Sequence, residues 1–164
     1  MEVVQKIEWY PKWEGGAPLP QVFSNGQKIY LIYYVADWED DLKNEIKPLG
    51  ALSSNQQLIA LVTFDGHTFK FGIANDEVFP GLPLYKEGLN KWAHQIENSR
   101  WIEELKEIHK VHPLYNPLNW RRLNHYVFLF KDDILEVIAR SYSVEVYRTT
   151  YLEIGVEILR RMHH

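Results

Sequence analysis

The chain contains no cysteine among its 164 residues. This absence excludes disulfide bonds, a cysteine nucleophile and any zinc site that needs thiolate ligands. No apolar run approaches the ~18 residues expected of a membrane-spanning helix. The opening segment MEVVQKIEWY lacks the basic region and apolar run of a secretory signal. Together these absences predict a cytoplasmic protein with no membrane segment.

Sequence motifs of established chemistry are also absent. The chain has no GxxxxGK[ST], GxGxxG, GxSxG or HExxH. The net charge is −4, and the densest basic pairs, Arg121-Arg122 and Arg160-Arg161, are short. Nucleic-acid binders usually carry a clustered basic face. A protein or small-molecule partner is therefore favoured over nucleic acid. A homo-oligomer stays open, and no cofactor or metal site is identified.

Aromatic residues are abundant, with six Trp, ten Tyr and seven Phe. Aromatic side chains bury large areas in cores, whereas exposed ones mark binding surfaces. Under the second reading, the contact surface draws on Trp9, Trp13, Trp38, Tyr85 and Trp120. Under the first, Trp9 and Trp13 pin an irregular, proline-rich N-terminal segment to the body of the protein.

The strand patterns predict a single α+β domain over residues 1–164, with a mostly antiparallel sheet of about five to six strands. Asn25-Gly26 and Asp65-Gly66 each have the residues of a two-residue hairpin turn. Segment 37–57 is acidic and then polar, which predicts an exposed loop. Strands are expected at these positions: a short one within residues 1–20, and others at residues 21–24, 28–36, 58–64, 67–71, 125–130, 134–139 and 142–147.

Two helical regions are expected to cover one face of this sheet. Residues 84–97 have one apolar stripe and residues 100–110 have another, nearly opposite at 100° per residue. One straight helix cannot bury both, so a broken central helix is predicted, with Asn98 or Ser99 capping its second half. Thr150 and Glu153 form a capping box that begins a C-terminal helix. The predicted apolar stripe of that helix is Leu152, Val156, Leu159 and Met162.

Acidic residues near strand ends are the main catalytic candidates. Asn75-Asp76-Glu77 follows a strand that ends at Gly72, where carboxylates can act as a base or bind a hard cation. The alternative is an Asx turn with solvated acids. If this loop and the Asp132 turn face the same end of the sheet, His125, Asp76 and Asp132 converge, and Glu77 is the further catalytic candidate.

Three segments resemble a family of small uncharacterised bacterial proteins. They are FGIANDEVFPGLPLYKEGL, ENSRWIEEL and HYVFLFKDDILEVIA, which are similar to FGxPNDE…GHPLY…GL, NSxWI and HFIFxFHDSTFECIA. The resemblance implies a bacterial cytoplasmic protein and supplies no activity. Where the family pattern has histidine, this chain has Leu82 and Lys131.

Two functions follow from these patterns. The first is a non-catalytic binding or interaction domain that uses the aromatic residues named above. The alternative is a metal-assisted or acid–base hydrolase that uses Asp76, Glu77 and His125, with Asp132 assisting.

Overall fold

The computed structural model describes residues 1–51 and 55–163, and within these ranges it contains eight strands and two α-helices. The predicted α+β class with a mostly antiparallel sheet is confirmed, whereas the predicted count of five to six strands is wrong. The helices are α1 (Arg100–His109) and α2 (Tyr151–Met162). The strands are β1 (Val3–Lys6), β2 (Gln21–Ser24), β3 (Ile29–Tyr34), β4 (Ile46–Pro48), β5 (Gln57–Gly72), β6 (Ala93–Glu97), β7 (Asn124–Leu129) and β8 (Ile134–Thr149).

The residue contacts divide the chain into two compact units. The first unit comprises Met1–Glu8 and Gly66–Ser141, and the second comprises Trp9–Asp65 and Tyr142–His164. The long strands β5 and β8 contribute residues to both. A single domain over the whole chain stays a prediction.

The first unit contains strands in the order β1-β6-β7-β8-β5, with the helix α1. The β1–β6, β6–β7 and β7–β8 pairs are antiparallel. Its two apolar clusters centre on Val127 and Leu129 and on Trp120 and Ile138. Burial of these side chains stabilises the unit by roughly 25 cal/mol per Å² of apolar surface.

The second unit contains the strand order β2-β3-β5-β8, with β4 parallel to β8. The predicted chain reversal at Asn25-Gly26 is present between the antiparallel strands β2 and β3, but the connection is residues 25–28, because Ser24 pairs with Ile29, and Gly26 has φ of +86°. Only a residue that tolerates positive φ fits such a turn. The second-unit core joins the buried residues of α2 to the strands and consists of Tyr30, Ile32, Ile59, Leu61, Tyr147, Ile154 and Ile158.

The first half of the predicted central helix is wrong. Residues Tyr85–Glu87 form one 3₁₀ turn that ends at Gly88, with φ of +119°, and Ala93–Glu97 form β6. Strand β6 lies between β1 and β7 and buries both Ala93 and His94, so it lacks the polar–apolar alternation that would have identified it. The predicted broken central helix is therefore wrong, although Ser99, one of the two predicted caps, does begin α1, since its Oγ accepts a hydrogen bond from the Ile102 N–H.

The predicted Asp65-Gly66 hairpin is also wrong. Strand β5 continues through both residues, and β8 continues through the predicted gap at 140–141. Both strands have neighbours on two sides in the sheet, and that pairing overrides the local turn preference of Asp-Gly. The predicted loop 37–57 contains a 3₁₀ turn at Glu39–Asp41 and the strand β4, while residues 52–54 of that prediction lie outside the described residues.

The C-terminal helix is confirmed, but three of the four residues of its predicted buried face, Leu152, Val156 and Leu159, are exposed. The Glu153 N–H donates to Thr150 Oγ1 at 3.3 Å, as the capping box requires. The buried residues are Ile154 and Ile158, whereas Leu152 is 77% exposed. The spacing of Ile154, Ile158 and Met162 forms a second apolar stripe, and that stripe packs on the second-unit core.

Candidate functional site

A cavity of about 300 Å³ lies in the first unit beside the indole of Trp101, and we call it the Trp101 cavity. Its lining combines apolar side chains, which we call the apolar floor, with charged groups of both signs. The apolar lining is Leu82, Pro83, Leu84, Leu89, Val127, Leu129 and Ile134. The polar and aromatic lining is Glu2, Lys70, Arg100, Trp101, Glu104, His125 and Glu136.

A chain of hydrogen bonds joins two residues that line the cavity, His125 and Glu136, to the buried Ser99. Ser99 Oγ lies 2.7 Å from His125 Nδ1, and His125 Nε2 lies 3.0 Å from Glu136 Oε1. A carboxylate only accepts hydrogen bonds, so Nε2 carries the proton and Nδ1 accepts from the serine hydroxyl. Ser99 and His125 are both buried. The chain therefore links the start of α1 to β7 and β8.

Strand register explains why His125 and Glu136 meet. In the antiparallel β7–β8 pair, His125 lies opposite Ile138 and Val127 lies opposite Glu136. His125 and Glu136 are thus diagonal neighbours on one face of the sheet, a separation that long side chains can span. Ser99 joins them because β6 precedes α1 and Ile96 pairs with His125.

The charge of Glu136 is stabilised inside the cavity wall. Burial alone would raise the pKa of this carboxyl group. The hydrogen bond that His125 donates, together with the nearby ammonium of Lys70, outweighs burial and lowers the pKa of Glu136 below its usual value. Glu136 is therefore ionised at neutral pH.

Trp101 organises the cationic part of the cavity. The Lys70 Nζ lies 4.1 Å from the centre of the Trp101 ring, which is a cation–π distance. The Trp101 and His125 rings meet edge to face, with centres 5.3 Å apart. Lys70, Trp101 and His125 therefore form one continuous surface.

The predicted acidic site is divided between two places in the first unit. The Asp76 N–H donates to the Lys131 carbonyl at 2.8 Å, so the Asp76 loop does contact the segment that precedes Asp132. His125 lies near the other end of β7, with both ring nitrogens bound to Ser99 and Glu136. The structure therefore does not bring His125 together with Asp76.

The Asx-turn alternative describes the Asp76 loop. Asn75 Oδ1 accepts the Glu77 N–H at 3.0 Å, and Lys91 Nζ lies 3.8 Å from Asp76 Oδ2. These contacts account for the local geometry of Asn75 and Asp76 without a ligand. The catalytic roles predicted for Asp76, Glu77 and Asp132 stay predictions.

The predicted aromatic contact surface needs correction. Trp9 and Trp13 are buried in the second unit, and Trp120 is buried in the first. Trp9 Nε1 donates to the Tyr33 hydroxyl, which shows that it serves the core. Trp38, at 80% exposed, and Tyr85, at 38% exposed, are the two predicted residues that reach solvent.

A histidine group lies on another part of the first unit. The rings of His67 and His109 each lie 5.0 Å from Trp120, centre to centre. Together with His112 they line a cavity of about 230 Å³. Within residues 1–51 and 55–163, no three His, Cys, Asp or Glu side chains have the arrangement needed to hold a metal ion.

The fold and the site define an α+β protein whose first unit encloses an apolar-floored, charge-lined cavity. Comparison of the chain with protein-family models gives no match, and comparisons with curated proteins and with solved structures also give none. Among the described residues, neither helix is long and apolar enough to cross a membrane.

The sequence prediction included His125 but missed Lys70, Trp101 and Glu136 as residues that line the same cavity, and Ser99 as the hydrogen-bond partner of His125. The alternation of Leu135, Glu136 and Val137 marks a polar position within a buried strand, which is one usable signal. The segments ENSRWIEEL and HYVFLFKDDILEVIA, on which the family resemblance rests, also contain all of these residues except Lys70.

Proposed function

We propose that the protein is a non-catalytic binding protein whose first unit holds a small amphipathic molecule in the Trp101 cavity. One observation carries the proposal: seven apolar side chains and charged groups of both signs line the same cavity. Small-molecule sites typically combine such apolar linings with a few placed polar groups, in cavities of roughly 300 to 1,000 Å³. The Trp101 cavity, at about 300 Å³, suits a small ligand.

Leu84→Trp should block the cavity. Leu84 is half-buried and lines the cavity, so a larger ring there occupies part of the ligand volume. We expect the dissociation constant of 1-hexanol, measured by ligand-observed NMR, to rise by roughly tenfold or more, equivalent to about 1.4 kcal/mol. The control is Leu114→Trp, because Leu114 is 82% exposed and lies outside the Trp101 cavity. Equal binding by the two variants, or no saturable binding by the unmodified protein, would contradict the proposal.

The second candidate function is ester hydrolysis by Ser99, His125 and Glu136. The specific observation is the hydrogen-bonded order of hydroxyl, imidazole and carboxylate, which is the order that activates a serine nucleophile. Ser99 also lines a separate cavity of about 380 Å³, together with Gln95, Asn98 and Lys106. That cavity provides the space for an acyl group in this candidate function.

The proton movements of such a reaction balance within the three residues. Ser99 Oγ attacks the acyl carbon and passes its proton to His125 Nδ1, while ionised Glu136 stabilises the imidazolium. The imidazolium then gives its proton to the departing alkoxide, and an acyl-serine ester remains. A water molecule attacks this ester, His125 accepts its proton, and Ser99 recovers a proton as the acid departs.

Ser99→Ala should abolish any release of p-nitrophenolate from p-nitrophenyl acetate. The control is Ser141→Ala, because Ser141 belongs to the same unit and is exposed. Loss of the cap hydrogen bond by itself costs about 1 kcal/mol of stability, so both variants are assayed well below their melting temperatures. An acetyl adduct on Ser99, detected by mass spectrometry, would support hydrolysis. Equal rates in the two variants would exclude it.

We also propose that the chain is a bacterial cytoplasmic protein of the family described above. The three segments that carry the resemblance support this proposal, and they occur in the same order as in the family pattern. Expression of the encoding gene with a fluorescent fusion in a bacterial host would test the location. Fluorescence outside the cytoplasm would contradict it.

A further inference from the structure

Charged groups of both signs line the Trp101 cavity, and two of them, the Arg100 guanidinium and the Glu104 carboxylate, take part in no hydrogen bond or ion pair in the described part of the chain. The Lys70 ammonium differs, because it lies over the Trp101 ring and its charge acts on Glu136. The other two carboxylates differ. Glu2 Oε1 accepts a hydrogen bond from the backbone N–H of Arg100 at 2.7 Å, and Glu136 Oε1 accepts one from His125 Nε2.

Arg100 and Glu104 are four positions apart at the start of α1, so their side chains emerge on the same helix face. Opposite charges at this spacing commonly pair, yet here the two groups are separate and both line the cavity. A ligand that carries a carboxylate and an ammonium group can satisfy both at once. An anion alone would leave the Glu104 carboxylate without a partner, and a cation alone would leave the Arg100 guanidinium without one.

The sum of the lining charges also argues against a simple anion. Lys70 and Arg100 contribute two positive charges, whereas Glu2, Glu104 and Glu136 contribute three negative charges. Arg matches a carboxylate through two parallel N–H donors, and an ionised carboxylate binds an ammonium through charge-assisted hydrogen bonds. The apolar floor beneath these groups provides space for a bulky hydrocarbon or aromatic side chain.

We propose that the ligand of the Trp101 cavity is a zwitterionic amino acid with a bulky apolar side chain. This inference rests on the proposed binding function and adds the chemical class of the ligand. The carboxylate binds between Arg100 and Lys70, the ammonium binds Glu104 and Glu136, and the side chain fills the apolar floor.

The test uses three probes that share one side chain and differ in charge. They are L-phenylalanine, L-phenylalaninamide, which lacks the carboxylate, and N-acetyl-L-phenylalanine, which lacks the ammonium. We expect L-phenylalanine to bind at least about tenfold more tightly than either other probe at neutral pH, since each charged contact contributes a charge-assisted hydrogen bond. Isothermal titration calorimetry and ligand-observed NMR measure the three constants.

Two charge-neutralising variants assign the contacts. Arg100→Met should weaken L-phenylalanine and N-acetyl-L-phenylalanine and leave L-phenylalaninamide unchanged. Glu104→Gln should weaken L-phenylalanine and L-phenylalaninamide and leave N-acetyl-L-phenylalanine unchanged. The matched control is Arg122→Met, because Arg122 is exposed and does not line the cavity.

The outcomes separate this inference from the proposed function. If a singly charged probe binds as tightly as L-phenylalanine while Leu84→Trp weakens all three, the zwitterion assignment is wrong and the binding function stands. If neither 1-hexanol nor any of the three probes binds, both proposals are wrong. The crossed effects of Arg100→Met and Glu104→Gln would establish the assignment.

Discussion

His125→Leu should lower the free energy of unfolding by about 2 to 4 kcal/mol, because it removes the middle member of the Ser99–His125–Glu136 chain. Ser99 keeps its bond from the Ile102 N–H, but its hydroxyl loses the acceptor Nδ1. Glu136 loses the hydrogen bond that its ionised carboxylate accepts from His125 Nε2. The Glu136 side chain is 29% exposed, so water offsets part of that loss and the estimate is kept below that for a fully buried ion pair.

Urea unfolding followed by circular dichroism measures this effect. His112→Leu is the matched control, because His112 is exposed, and we expect its change to stay within about 0.5 kcal/mol. Glu136→Gln keeps an acceptor for Nε2, so it should cost less than His125→Leu. Equal unfolding midpoints for His125→Leu and His112→Leu would show that the chain of hydrogen bonds contributes nothing to stability.

Ile158→Ala should have an effect of similar or greater size in the second unit. Ile158 is fully buried in the core formed by α2 and the strands, and its truncation leaves a cavity there. Loss of a buried Ile side chain costs about 2 to 5 kcal/mol. In a chain of this length, each kcal/mol corresponds to roughly 2–4 °C in melting temperature.

Leu152→Ala on the same helix provides the comparison. Leu152 is 77% exposed, so the same kind of truncation should change stability by less than about 0.5 kcal/mol. This pair of variants also tests the position of α2. The sequence stripe through Leu152 predicts the opposite ranking, and a larger loss for Leu152→Ala would mean that the buried face described here is wrong.

Local signals in the sequence predicted the elements that depend on local contacts. The Thr150 cap, the Asn25-Gly26 turn and the start of α1 at Ser99 all involve hydrogen bonds or backbone angles within a few residues. These features depend little on the rest of the fold. Pattern reading therefore identified them correctly.

Features that depend on distant pairing were not predictable in the same way. Leu89, Trp92, Ala93 and Ile96 recur at helical spacing, although the last two belong to strand β6. Because β6 buries consecutive residues, its sequence lacks the alternation of polar and apolar residues that indicates a strand. Asp65-Gly66 has turn chemistry, but pairing on both sides of β5 determines its conformation. Both errors arise because sheet contacts link residues far apart in the chain.

The candidate site shows the same division. His125 and the polar position Glu136 are visible in the strand patterns, but their meeting depends on the register that places His125 opposite Ile138. The Asp76 loop and the Lys131 segment do meet through the backbone, as the strand ends suggested. His125 lies near the start of β7, whereas the Lys131 segment follows the end of that strand. Because a strand extends by roughly 3.3 Å per residue, the two positions are far apart.

The hydrogen-bonded chain of Ser99, His125 and Glu136 has a consequence for how this sequence can change over generations. Loss of one member removes a hydrogen bond from the others, so each of them then contributes less to stability. Substitutions at the three positions should therefore occur together rather than singly. The apolar residues beneath them can exchange volume with one another at little cost. Descendants of this chain should therefore vary freely in the floor of the cavity while they keep or lose the three polar residues as a set.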